Sequence, residues 1–193
     1  MHDWEDCSSK STFLLDYPVG LNYSTYIDLF VGPEPMETVT IIPYSDAAHR
    51  KQVVALWETV FGYDAPHNKP SVVIDKKLAV DDQLFFVAVA DKAVVGTIMA
   101  GYDGHRGWIY SVAVSASYRK QGIGSRLVSI AEQALTEKGC VKINLQIMEG
   151  NESVTAFYSS LGFKVEKRVS MSKRMRENVP SPNNDKFAGA NKG

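Results

Sequence analysis

The stretch that decides the fold is Val112-Ala113-Val114-Ser115-Ala116-Ser117-Tyr118-Arg119-Lys120-Gln121-Gly122-Ile123-Gly124-Ser125. An apolar, strand-like run passes through Arg-x-x-Gly-x-Gly directly into a segment whose apolar residues follow helical spacing. Gly122 and Gly124 let the backbone approach a phosphate closely, and the free amides of a helix's first turn point at the same oxygens. Arg119 and Lys120 add positive charge. The pattern predicts an anion cradle, although a tight turn without a ligand explains this motif alone equally well.

Several other classes do not match the sequence. Leu127 stands where the dinucleotide motif Gly-x-Gly-x-x-Gly needs its third glycine, and the Gly-Lys-Ser/Thr of a P-loop is missing. The 193 residues are 45% hydrophobic and 22% charged, which is typical of a globular protein. The net charge of -1 argues against a dedicated nucleic-acid-binding protein. Two cysteines are too few for a disulfide scaffold or a four-cysteine zinc site, and we expect no metal.

Strands and helices alternate on both sides of the cradle. Before it, the periodicity predicts a strand, two helices and a meander of three antiparallel strands, with the bounds Val39–Ile42, Ser45–Gly62, Val72–Leu78, Leu84–Ala90, Val94–Tyr102 and Trp108–Val114. After it comes a helix that ends at Gly139. A strand over Val141–Ile147, a helix over Asn151–Leu161 and two strand pieces within Phe163–Met175 follow. The cradle helix crosses over between two strands, which makes them parallel. The predicted fold class is α/β, with a mixed, predominantly antiparallel sheet flanked by helices.

Two segments lie outside this alternation. Residues 1–37 hold seven acidic residues and one basic residue, with several aromatic residues but no sustained period, and we predict a partly disordered acidic extension. Residues 177–193 are rich in Pro, Asn and Gly and are predicted to be a disordered tail. Residues 38–176 form the predicted single domain. Because no apolar run reaches bilayer length and the acidic start lacks a basic signal-peptide region, we expect a cytoplasmic protein without a membrane partner.

A second motif lies further along the chain: Asn151-x-x-x-x-Ala156-Phe157-Tyr158-x-x-Leu161-Gly162-Phe163. Together with Arg119-x-x-Gly122-x-Gly124 it resembles, in spacing and in order, the two signature motifs of the GNAT N-acetyltransferase superfamily. The resemblance covers the predicted domain and neither tail. Within the superfamily, the run Gly101-Tyr102-Asp103-Gly104-His105-Arg106-Gly107 is similar to the small bacterial YpeA-like acetyltransferases.

The resemblance implies an enzyme that transfers the acetyl group of acetyl-CoA to a primary amine, without a metal. The pyrophosphate of the co-substrate would bind the cradle, at Arg119, Lys120, Gln121, Gly122, Ile123, Gly124 and Ser125. Its pantetheine would lie along a strand that splays from the next parallel strand, at Val112, Ala113 and Val114. Asn151 and Tyr158 of the second motif would face it. The amine, on a small molecule or a peptide, attacks the thioester directly, and a strand N–H holds the oxyanion, with Val112 or its neighbour as the candidate. The resemblance leaves a monomer or a homodimer open.

Tyr158 is the candidate general acid, because a phenol can hydrogen-bond or protonate the departing CoA thiolate. Simple packing of this aromatic ring is the alternative. The general base is open. Gln146 stands where ribosomal N-terminal acetyltransferases carry a glutamate, and an amide cannot accept the proton. Glu149, Tyr110, His105 and ordered water remain, and we favour water.

The glycine-rich turn before Trp108 has two interpretations. It can line the acceptor entrance together with Tyr110, with Asp103 attracting a cationic amine and His105 relaying a proton. Alternatively, Asp103 and His105 only satisfy local backbone groups. The rival function is a non-catalytic acetyl-CoA or CoA sensor, which needs the cradle but not Tyr158. Other acyl donors, such as succinyl-CoA, also stay open.

Overall fold

The computed structural model describes residues 38–62 and 66–173. The chain divides into two compact units, Met1–Gln146 and Ile147–Gly193. The predicted acidic extension, residues 1–37, and the predicted tail, residues 177–193, lie outside the described residues. These two assignments therefore stay predictions.

The first unit alternates strands and helices in the predicted order. Its strands are β1 (Thr40–Pro43), β2 (Phe85–Ala90), β3 (Ala93–Tyr102), β4 (Gly107–Val114) and β5 (Ile143–Asn144). Its helices are α1 (Asp46–Phe61), α2 (Pro70–Val80) and α3 (Ile123–Glu137), with short 3-10 turns at Pro66–Asn68 and Ala116–Tyr118. Residues with positive φ mark the predicted breaks: Gly62 ends α1, and Asp91 and Lys92 form the tight turn between β2 and β3.

The five strands form one sheet in the order β1-β2-β3-β4-β5. The first three pairings are antiparallel, whereas β4 and β5 are parallel because α3 crosses over between them. The predicted α/β fold, with a predominantly antiparallel sheet and one parallel pair, is confirmed. The strand predicted over Val141–Ile147 is much shorter, because only Ile143 and Asn144 find partners on β4.

The helices cover both faces of the sheet. On one face, Trp57 of α1 and Ile74 of α2 belong to a buried cluster with side chains of β2, β3 and β4. On the other face, Leu127 of α3 approaches Gly96 of β3 so closely that a Cβ there would lie 3.0 Å from its Cδ1. Burying apolar side chains on both faces explains why β2 and β3 are almost continuously apolar in sequence.

The second unit contains helix α4 (Glu152–Ser160) within its described residues, 147–173. The two strand pieces predicted in Phe163–Met175 are absent from residues 163–173, and residues 174 and 175 lie outside the described part. Val165, Val169 and Met171 are 82%, 88% and 91% exposed, and the predicted strand pieces find no partner strand among the described residues. No helix in the described ranges is long and apolar enough to cross a membrane.

Candidate active site

The cradle forms where the chain enters α3. Gly122 is the N-cap residue with φ +78°, and Lys120 also has a positive φ of 61°. The first helical hydrogen bond runs from the Arg126 N–H to the Gly122 carbonyl, at 3.0 Å. The amides of Ile123, Gly124 and Ser125 precede it and have no acceptor one turn back. This row of N–H groups, together with the helix dipole, gives the loop the electrostatics of an anion site.

Two side chains of the cradle hold the loop itself. Arg119 donates from Nε to the Val114 carbonyl at 3.1 Å, and Gln121 donates from Nε2 to the Ser117 carbonyl at 3.1 Å. Arg119 therefore joins the loop to the end of β4. The side chain of Lys120 is exposed. An added Cβ at Gly122 would meet nothing within 4 Å, so the space beside this residue is open.

One edge of β4 is unpaired beside the cradle. The parallel ladder with β5 consists of Gly107 opposite Ile143 and Trp108 opposite Asn144, and it ends there. From Ile109 onward, β4 continues to Val114, and β3 is its only ladder partner among the residues that the structure describes. The predicted parallel pair is present. The two strands separate after Trp108 and Asn144, along the part of β4 that precedes the cradle.

A bulge in β4 sets the direction of one amide in this gap. Ser111 has a φ of +54°, and the register with β3 shifts at this point. The Ser111 carbonyl accepts a 3.0 Å hydrogen bond from the hydroxyl of Thr97 on β3. In a trans peptide the C=O and the following N–H point in opposite directions, and the described residues contain no cis peptide. The Val112 N–H therefore points away from the Thr97 hydroxyl, and Val112 lies on the part of β4 beyond its ladder with β5.

The second unit holds the other two predicted residues. Asn151 is the N-cap of α4, and its Oδ1 accepts from the Val154 amide at 3.3 Å and the Ser153 hydroxyl at 3.2 Å. Tyr158 is buried, and its ring packs edge-on against Phe157 and Phe163. Burial raises the pKa of Tyr158 to about 12. The phenol is therefore a hydrogen-bond donor throughout the neutral pH range.

The glycine-rich turn is organised by Asp103. Its Oδ1 accepts hydrogen bonds from the backbone N–H groups of Arg106 at 2.6 Å and His105 at 2.8 Å. The hydrogen bond from Arg106, and to a smaller extent that from His105, holds the pKa of Asp103 below its usual value. The local backbone role is thus present, and the acceptor-binding roles of Asp103 and His105 stay predictions.

The sequence matches the acetyltransferase (GNAT) family over residues 43–163. The chain belongs to this family. An acetyltransferase of Yersinia pestis (strain Pestoides F) is 36% identical over 125 residues, which are 65% of this chain and 88% of that protein. An acetyltransferase of Pectobacterium atrosepticum is 38% identical over the same shares. A structure of the NatC complex bound to Gag peptide and CoA has 26% identity and a TM-score of 0.60, covering 69% of this chain and 88% of that one.

In this GNAT family member, neighbouring residues hold the Tyr110 side chain in place. Tyr110 is 40% exposed on β4, one residue before the bulge, and its hydroxyl donates to the Ala100 carbonyl at 3.2 Å. Burial, with a smaller effect of Asp82, raises its pKa. Because its pKa is raised, the Tyr110 phenol stays protonated at neutral pH and lacks the free base form that a general base needs. Glu149 and Gln146 are exposed.

Sequence reasoning missed Lys77 in this GNAT chain. Its side chain is 5% exposed, and its Nζ contacts Asp82 Oδ2 at 2.6 Å, the Ala100 carbonyl, and the Tyr110 ring, whose centroid lies 5.8 Å away. A signal existed, because Lys77 follows the buried Ile74 by three positions and lies on the same helix face. In the described ranges, no three His, Cys, Asp or Glu residues group closely enough to hold a metal ion.

Proposed function

We propose that this chain is an acetyl-CoA-dependent N-acetyltransferase acting on a primary amine by direct attack. The observation that carries the proposal is the row of free amides at the start of α3, beside the unpaired edge of β4. A pyrophosphate needs such donors, and an extended pantetheine amide needs a free strand edge to pair with. Membership of the GNAT family and the CoA bound to NatC support this choice of co-substrate.

Each part of the co-substrate has a proposed partner in the chain. The proposed pyrophosphate ligands are the amides from Lys120 to Ser125, and Lys120 adds an exposed cation. The proposed pantetheine partners are the backbone groups of Val112, Ala113 and Val114. Because Arg119 is bonded to the Val114 carbonyl, its contribution is to hold the loop against the strand. Asn151 caps α4 with its Oδ1, and its side-chain N–H groups are the proposed donors to the co-substrate.

The acetyl transfer proceeds through one tetrahedral intermediate. The neutral amine nitrogen attacks the thioester carbonyl, a C–N bond forms, and the carbonyl oxygen becomes an oxyanion. The Val112 N–H is the proposed donor to this oxyanion, since it points away from Thr97 and lies on the part of β4 beyond its ladder with β5. The C–S bond then breaks while the amine nitrogen loses its proton to water, and CoA leaves as a thiolate that takes up a proton from solvent. No bond to the enzyme forms at any point.

Tyr158 is the proposed general acid at the departing sulfur. A thiol has a pKa of about 8.5, well below the value of about 12 for the buried Tyr158 phenol. Full proton transfer from Tyr158 to sulfur is therefore uphill. We expect a hydrogen bond that strengthens as negative charge develops on the sulfur to contribute most of the effect.

Ordered water is the proposed route for the proton of the amine. The phenol of Tyr110 has a raised pKa, and His105 is exposed on the turn. A water chain to bulk solvent meets the requirement without a dedicated carboxylate. The acceptor class, a small molecule or a peptide, follows from the family only at the level of an amine.

A thermal-shift titration tests the co-substrate first, with acetyl-CoA, CoA, longer acyl-CoAs and NAD. Saturation at one hundred times Kd adds roughly 2.7 kcal/mol of stability, which raises the melting temperature visibly. We expect a rise with acetyl-CoA and none with NAD. A panel of amines with detection of free thiol then distinguishes the enzyme from the rival CoA sensor, which binds but releases no thiol. No shift with any CoA species contradicts the proposal.

A further inference from the structure

Lys77 is a buried cation without a role in the reaction described above. Its Nζ forms an ion pair with Asp82 and donates to the Ala100 carbonyl. Asp82 is itself fixed, because its other oxygen accepts from the Leu84 amide at 3.0 Å. Burial lowers the pKa of Lys77 despite the nearby carboxylate. Burying a lysine is costly, so an arrangement that holds it calls for a function.

The Ala100 carbonyl oxygen also accepts a hydrogen bond from the Tyr110 hydroxyl. Lys77 and Tyr110 are thus joined through Ala100 as well as through the contact between Nζ and the ring. The ring has room because residue 101 is glycine, since an added Cβ there would lie 3.1 Å from the Tyr110 hydroxyl oxygen. Lys77 and Ala100 therefore hold one orientation of the Tyr110 side chain, although the residue is 40% exposed.

This orientation fixes what the phenol can offer to a ligand. A hydroxyl has one proton and two lone pairs. Because the proton of Tyr110 is committed to Ala100, the oxygen can only accept a hydrogen bond from a further partner. Tyr110 lies two residues before Val112, the proposed oxyanion donor, on the strand with the unpaired edge. A primary amine, with N–H groups to donate, matches such an acceptor.

We propose that Lys77 is a positioning residue that holds Tyr110 as a hydrogen-bond acceptor for the N–H groups of the acceptor amine. The inference rests on the proposed acetyl transfer and adds a determinant of acceptor binding to it. Lys77 acts through Tyr110 and does not touch the amine. The co-substrate ligands of the cradle belong to other residues, so Lys77 affects acceptor binding and leaves acetyl-CoA binding unchanged.

The first test is kinetic and uses Lys77→Met, Tyr110→Phe, the double variant and Lys76→Met. Spermidine, phenethylamine, glucosamine 6-phosphate and a peptide with a free N-terminus serve as probes, and the best wild-type acceptor is kept. We expect Lys77→Met and Tyr110→Phe each to raise the acceptor KM about tenfold, the equivalent of one hydrogen bond. The KM for acetyl-CoA stays within twofold. The double variant matches Tyr110→Phe, because both changes remove the same interaction.

Lys76→Met is the matched control, since Lys76 is the exposed neighbour on the same helix. If Lys77→Met behaves like Lys76→Met, or if the two KM effects multiply in the double variant, the inference is wrong. Lys77→Met leaves Asp82 without its cation, so a poorly folded variant is replaced by Lys77→Met with Asp82→Asn, which removes both charges.

A second test does not depend on activity. In protein labelled with 13C at the tyrosine ζ carbon, the resonance of Tyr110 is assigned by its loss in Tyr110→Phe. We expect Lys77→Met, but not Lys76→Met, to shift this resonance. An unmoved resonance contradicts the positioning role even in an active enzyme. A shifted resonance in a protein that acetylates none of the four probes contradicts the proposed acetyl transfer, and the acceptor role of Tyr110 with it.

Discussion

The indole N–H of Trp57 donates a 2.8 Å hydrogen bond to the Thr97 hydroxyl, and both side chains are fully buried. The Thr97 hydroxyl in turn donates a hydrogen bond to the Ser111 carbonyl at the bulge of β4. One hydroxyl thus joins α1 to the peptide that carries the Val112 N–H, the proposed oxyanion donor. A core hydrogen bond and the proposed oxyanion donor are parts of one connected arrangement.

Thr97→Val should lower the free energy of unfolding by about 1–3 kcal/mol, because the buried Trp57 N–H loses its acceptor while the side-chain volume is kept. Urea unfolding measures the difference. Thr40→Val is the control, since Thr40 is exposed and its hydroxyl makes only a 3.5 Å contact with Val89. A stability for Thr97→Val equal to that of the control would show that the bond contributes nothing.

Gly107→Ala should also destabilise the protein, by about 1–3 kcal/mol, because of overpacking. An added Cβ would lie 2.7 Å from Cys140 Sγ and 3.1 Å from Leu135 Cδ1. Adding Cys140→Ala removes the nearer atom, so the double variant should regain part of the loss that Gly107→Ala causes. Thermal unfolding monitors both variants. If Cys140→Ala gives no relief, Cys140 does not set the limit at this position. Cys140 is a buried free cysteine.

Gly122→Val should weaken acetyl-CoA binding about tenfold or more. A side chain in front of the free amides displaces the phosphate from charge-assisted hydrogen bonds worth roughly 1.5–3 kcal/mol each. Isothermal titration calorimetry measures the affinity. Gly139→Val is a close control: Gly139 follows the other end of α3, its φ is +84°, and an added Cβ also meets nothing within 4 Å. Both variants carry similar backbone strain. Equal acetyl-CoA affinity in the two would refute the cradle.

Tyr158→Phe should lower kcat about one hundredfold while acetyl-CoA affinity stays nearly unchanged, because only the hydroxyl of the general acid is removed. Since the pKa of Tyr158 is raised to about 12, its proton stays in place from pH 6 to pH 9. Loss of this proton therefore produces no fall in wild-type kcat on the alkaline side of that range. Tyr44→Phe serves as control, because the Tyr44 hydroxyl bonds Asp46 of α1. Unchanged turnover in Tyr158→Phe rules it out as the acid.

Local patterns in the sequence were enough to predict most elements. The helical spacing of Val53, Leu56 and Trp57 predicts α1, and Asp91-Lys92 predicts the turn between β2 and β3. The cradle is equally local, because a helix start exposes its own amides whatever the rest of the chain does. The fold class and the family follow from the order and spacing of such segments.

Pairing across the chain was beyond the reach of these patterns. Apolar alternation favours an extended strand but does not supply a partner, so Val141–Ile147 shortened to two paired residues and residues 163–173 joined no ladder. The bulge at Ser111 likewise arises from its register with β3.

The sequence by itself determined the helices, the turns and the amide row that an anion requires, because these depend on neighbours within one or two turns. Only the tertiary structure decided where β4 leaves β5, which way the Val112 N–H points, and that Lys77 of α2 lies against Tyr110 of β4. These features arise from contacts between residues distant in the chain. Such contacts form only when the sheet and helices pack, and no local periodicity encodes them.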